Sequence, residues 1–101
     1  APAAALVLYY EGRGGSNRDD ASRRFARAML PALGADAHTR GQSLGVLRNN
    51  PAGVKALVEV GNLAHVEDAW ALRYEQLRHR NAEKVVRGVL DFAGGRRLAQ
   101  R

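Results

Sequence analysis

Apolar and polar positions fall in blocks along this chain, and the spacing inside each block predicts its element. Leu6–Tyr10 is an unbroken apolar and aromatic run, which reads as a buried strand. Residues 11–17 hold Gly12, Gly14, Gly15 and Ser16 and read as a surface loop. Asp19 or Asp20 can cap the helix that follows, where a carboxylate faces the positive end of the helix dipole. Phe25, Met29 and Leu33 recur at intervals of four, a single apolar stripe that belongs to a core. Pro31 is expected to kink or end that helix, because it lacks an N–H. Residues 34–42 are polar and read as a loop, residues 43–48 as a strand, and 49–53 as a turn around Pro51 and Gly53. Residues 55–60 give the next strand. Glu67 and Asp68 open a further helical segment.

The last helix is expected over 74–92. Leu77, Ala82, Val85, Val86, Val89 and Phe92 would form its buried side, and Arg78, Arg80, Glu83, Lys84 and Arg87 its wet side. Gly94-Gly95 is expected to end it, leaving 96–101 as a loose basic tail after a main unit of 1–95. Strands interleaved with helices place the chain in the α/β class.

At 101 residues, 46% of them apolar, the chain is one domain or part of one. It has no cysteine, which removes disulfides, thiolate metal sites and thiol nucleophiles. No apolar run reaches the length of a membrane span, and the alanine-rich start lacks the basic and apolar regions of a signal peptide. The net charge of +6 and pI near 10.8 favour anionic partners. The arginines are scattered, however, with no aromatic interleaving, which argues against nucleic acid. The glycine-rich loop also lacks the Lys-Ser/Thr ending of a phosphate-binding loop.

One residue breaks the pattern. Side chains alternate faces along a strand, so Leu57 and Glu59 share one face and Ala56, Val58 and Val60 the other. A carboxylate ending an apolar strand needs a partner or a task. Glu59 either pairs with a cation such as Arg48 or does chemistry. Gly61, two residues on, permits a sharp turn.

Leu57-Val58-Glu59-Val60-Gly61-Asn62-Leu63, preceded by Val46-Leu47-Arg48-Asn49 and followed by Glu67-Asp68-Ala69, resembles the C-terminal portion of the zinc-dependent N-acetylmuramoyl-L-alanine amidases. The resemblance implies an α/β fold: part of a twisted sheet with packed helices. It implies peptidoglycan hydrolysis at the lactyl–L-alanine amide, in the cell envelope, whether periplasmic or extracellular. Glu59 would be the catalytic acid/base and Arg48 a substrate contact. Zinc is the implied cofactor. Its ligands in that family lie upstream of the matched part, so no metal ligand is assigned to His38, His65 or His79. The implied partners are peptidoglycan and either a missing N-terminal half or an oligomeric partner. Asn62, His65 and the absence of a proline at Val54-Lys55 depart from the family pattern. These departures leave a second reading open, a non-catalytic envelope module with an amidase-like fold.

Overall fold

Strand β1 (Leu6–Tyr10) lies at the centre of a three-stranded sheet in the computed structural model, which describes residues 4–61 and 64–100, the last six by backbone alone. The chain then runs through a 3-10 turn at Arg13–Gly15 into α1 (Asp20–Leu33), β2 (His38–Gln42), α2 (Gly45–Arg48), β3 (Leu57–Glu59), α3 (Val66–Ala71) and α4 (Glu75–Gln100). The sheet order is β2-β1-β3. β2 runs parallel to β1, with Leu6 opposite His38, and β3 runs antiparallel, with Leu6 opposite Glu59. Parallel neighbours need a crossover, and α1 supplies it. The fold is α/β.

β1 forms where expected, and its centre is covered on both faces. Val7 and Tyr9 join the core with Ala26, Met29 and Leu33 of α1. Leu8 points the opposite way and is also buried. This double cover is why the strand reads as continuous apolar sequence rather than as alternation.

Asp19 caps α1. Its carboxylate accepts from the Ser22 backbone N–H at 3.0 Å and from the Ser22 hydroxyl at 2.7 Å. The Ser22 oxygen accepts in turn from the Lys55 N–H at 3.0 Å, so one fully buried hydroxyl ties the helix start to the approach of β3. The buried stripe of α1 is Ser22, Ala26, Met29 and Leu33. Phe25 sits at its edge, its ring 5.0 Å from that of Phe92 at 67°.

Pro31 falls in the last turn of α1, which ends two residues later at Leu33. Proline lacks an N–H and its ring crowds the carbonyl four residues back, but the turn it sits in still closes: the Gly34 N–H reaches the Leu30 carbonyl at 3.2 Å. Gly34 then takes a φ of 133°, a conformation open to glycine. Several expectations are corrected. Residues 38–42 are a strand rather than loop. His38-Thr39-Arg40-Gly41-Gln42 is polar because every second residue is exposed, and its anchor is backbone pairing plus the Thr39 hydroxyl, which donates to the Val7 carbonyl at 2.7 Å. Residues 43–48 are not a strand: Gly45–Arg48 is one helical turn that buries Leu47 and leaves Val46 exposed. A short apolar run carries no reliable period. The strand expected over 55–60 is confined to Leu57–Glu59, and it pairs with β1.

α4 packs along α1. Its buried point is Gly88, where an added Cβ would meet Met29 Cβ and Cγ at 3.1 Å. The side turned inward is Leu77, Asn81, Val85, Gly88 and Phe92, whereas Ala82, Val86 and Val89, expected inside, are exposed. Gly94-Gly95 does not end the helix, and backbone 96–100, expected as a loose tail, continues it. No helix among the described residues is long and apolar enough to cross a membrane.

Candidate functional site

Glu59 is the last residue of β3, on the face of the sheet turned away from α1. The geometry follows from register. Residues paired across strands point to the same side, so Val58 goes with Val7 into the core, while Glu59 goes with Leu6 and Leu57 with Leu8. Glu59 and Leu57 are exposed. The face assignment made from alternation therefore holds, and the carboxylate is open to solvent.

The same register adds a residue that periodicity did not single out. His38, the first residue of β2, also pairs with Leu6. His38, Leu6 and Glu59 thus form one row across the outer face, its ends separated by two strand spacings of about 4.8 Å each. Both end residues are exposed. Arg40, Leu8 and Leu57 form the next row. The available signal was the exposed–half-buried alternation of a polar strand, which hydrophobic patterning does not see.

Arg48 is the last residue of α2, not a member of a neighbouring strand. No hydrogen bond or ion pair joins its guanidinium to Glu59 among the described residues. The guanidinium folds back over its own turn, one nitrogen 3.8 Å from where a Cβ on Gly45 would stand. The structure therefore does not bring Glu59 and Arg48 together as a pair.

Beyond Glu59 lies Gly61, whose hypothetical Cβ would touch Asp68 Cγ at 3.4 Å. Asp68 is buried in the first turn of α3. A cavity of about 370 Å³ opens at this end of the sheet, bounded by Val60, Gly61, Asp36, Asp68, Asn81 and Lys84 among others. Glu59 does not line it. Asn62 and Leu63, which belong to the quoted motif, lie outside the described residues.

His65 precedes α3 without a side-chain cap bond, and His79 on α4 lies 2.9 Å from Glu83 through Nε2. Among the described residues, no three His, Cys, Asp or Glu side chains come together in a group able to hold a metal ion. The residues described do not by themselves fit a zinc site, and no chemical step is derived through one.

No family model and no curated protein matches the chain. Among solved structures it is similar to the catalytic domain of CwlV, an N-acetylmuramoyl-L-alanine amidase from Bacillus (Paenibacillus) polymyxa var. colistinus. The fold is amidase-like. The TM-score is 0.66 at 23% identity, over 90% of this chain and 49% of that one. The chain thus spans about half the length of the domain it matches. At such identity the likeness speaks to the fold, and the chemistry must be argued from the residues.

Proposed function

We propose that the chain is part of a peptidoglycan hydrolase that cleaves the amide between the lactyl group of N-acetylmuramic acid and L-alanine. The observation that carries this reading is the meeting of two things: an amidase-like fold, and Glu59 as an exposed carboxylate at the end of β3. In this role Glu59 takes a proton from the attacking water and returns it to the departing amine. Unpaired by Arg48, its carboxylate is available for both transfers. Arg48, exposed at the end of α2, would meet a carboxylate of the stem peptide, which suits its planar fork. Zinc is the cofactor this reading implies, and its donors would come from outside the described residues. The proposed location is the cell envelope.

The separation of Arg48 from Glu59 also favours a second reading, a cell-wall binding or assembly module that keeps the fold without turnover. One experiment divides the two. The full-length protein is incubated with purified peptidoglycan, and the products are identified by mass spectrometry. Hydrolysis should release peptides beginning with a free L-alanine amine. Glu59→Gln should retain the fold and lose about 100-fold or more of the rate. Binding without such peptides would favour the module, and near-normal turnover by Glu59→Gln would remove Glu59 from the chemistry.

A further inference from the structure

Ser22 belongs to the buried stripe of α1, whose other members are Ala26, Met29 and Leu33, and it is 0% exposed. A hydroxyl so placed is costly unless its hydrogen-bonding capacity is used. It is used twice. The O–H donates to Asp19 Oδ2 at 2.7 Å, and the oxygen accepts from the Lys55 N–H at 3.0 Å. The first bond completes a cap that Asp19 already makes with the Ser22 N–H. The second does nothing for the helix. It reaches 33 residues along the chain, to a position two residues before β3.

β3 needs such an anchor. It is three residues long and, among the described residues, pairs with β1 alone, at one edge of the sheet. Ala56 and Val58 press on the core, but apolar packing is non-directional, whereas a hydrogen bond fixes position. Among the described residues, the other side-chain hydrogen bonds of 50–56 stay inside that segment: the Asn50 side chain accepts from the Ala52 N–H at 2.9 Å, and the Asn50 carbonyl accepts from the Lys55 ammonium. The bond from Lys55 to Ser22 is the one that fastens the segment to α1. Both of its ends lie within this chain, so it stands whatever else packs on the outer surfaces. From this we propose that Ser22 is a positioning residue for Glu59, an inference that rests on the hydrolase reading above. The buried hydroxyl fixes where the chain enters β3, and four residues on, the extended backbone delivers the Glu59 carboxylate. Proton transfer needs that carboxylate within hydrogen-bond reach of the water and the amine, and a displacement of about 1 Å can cost about 100-fold in rate.

The test compares Ser22→Ala with Gly88→Ala in the full-length protein. Both substitutions loosen α1, but the first alone removes the acceptor of the Lys55 N–H. Amide hydrogen exchange gives the first readout. In Ser22→Ala, exchange at Leu57–Glu59 relative to His38–Gln42 should rise about 10-fold, because β3 opens locally. In Gly88→Ala that ratio should stay within about 2-fold of wild type. Turnover of purified muropeptides gives the second. Ser22→Ala should lower kcat about 10-fold or more and leave KM within about 2-fold, since the displaced group acts in the chemical step. Gly88→Ala should leave kcat unchanged. Circular dichroism checks the fold, and Ser22→Cys, whose thiol is a weak acceptor of similar size, should repeat both effects if the alanine variant does not fold. An unchanged exchange ratio overturns the proposal, as does a fall in Tm with kcat unchanged. Wild-type protein that releases no peptides would sink the hydrolase reading instead, and the exchange ratio would still decide whether Ser22 holds the strand that carries Glu59.

Discussion

Replacing Gly88 with alanine separates helix propensity from helix packing. Propensity alone favours the change, since alanine in a helix interior is better than glycine by about 0.8–1.0 kcal/mol. Packing opposes it. The new methyl would stand 3.1 Å from Met29 Cβ and Cγ and 3.2 Å from Met29 Cα. Favourable carbon–carbon contact lies at about 3.5–4.0 Å. Met29 is 1% exposed, so its side chain has little room to swing away, and its Cα belongs to the α1 backbone. α4 must therefore move off α1 by a few tenths of an ångström. Overpacking of this kind costs about 1–3 kcal/mol. The net expectation is a loss of about 1 kcal/mol, which lowers Tm by about 4–8 °C in a domain of this size. Thermal unfolding followed by circular dichroism measures it, with Val86→Ala as the control. That side chain is 56% exposed and should change stability by no more than about 0.5 kcal/mol. An unchanged or higher Tm for Gly88→Ala would show that α1 and α4 are not in contact at this point.

Asp19→Ala removes the acceptor of two hydrogen bonds at the start of α1 and should destabilise by about 1–2 kcal/mol, read from urea unfolding; a loss under about 0.3 kcal/mol would deny the cap. Arg48→Ala should leave Tm unchanged, because the guanidinium has no hydrogen bond or ion pair among the described residues, and should raise KM for muropeptides more than it lowers kcat. A fall in Tm with unchanged KM would make Arg48 structural. Binding of the +6 chain to peptidoglycan or other polyanions should weaken steeply with added salt, since exposed charges are screened beyond about 10 Å at 0.1 M. Affinity that ignores salt would point to a shaped pocket instead.

The elements legible in the sequence are those whose signals are local. Leu6–Tyr10 announces itself because both of its faces are covered, so no polar residue interrupts it. Asp19-Asp20 announces α1 because a cap acts within a few residues of itself, and the alternation across Leu57, Val58 and Glu59 correctly put Glu59 with Leu57 and apart from Val58. The α/β class followed from these, and the resemblance drawn from the Glu59 segment agrees with the amidase-like fold. What the sequence left undecided depends on distant neighbours. β2 exists because β1 offers it backbone partners and Val7 accepts a bond from Thr39, and nothing apolar in His38–Gln42 reports that. Gly45–Arg48 coils rather than extends, which buries Leu47 and leaves Val46 exposed. α4 carries apolar residues on two faces, so periodicity alone could not choose between them; the close approach of Gly88 to Met29 chose. The row of His38, Leu6 and Glu59 is likewise a product of register. Hydrogen bonding between strands that lie far apart in the chain sets which residues share a face, and only the folded sheet contains that information.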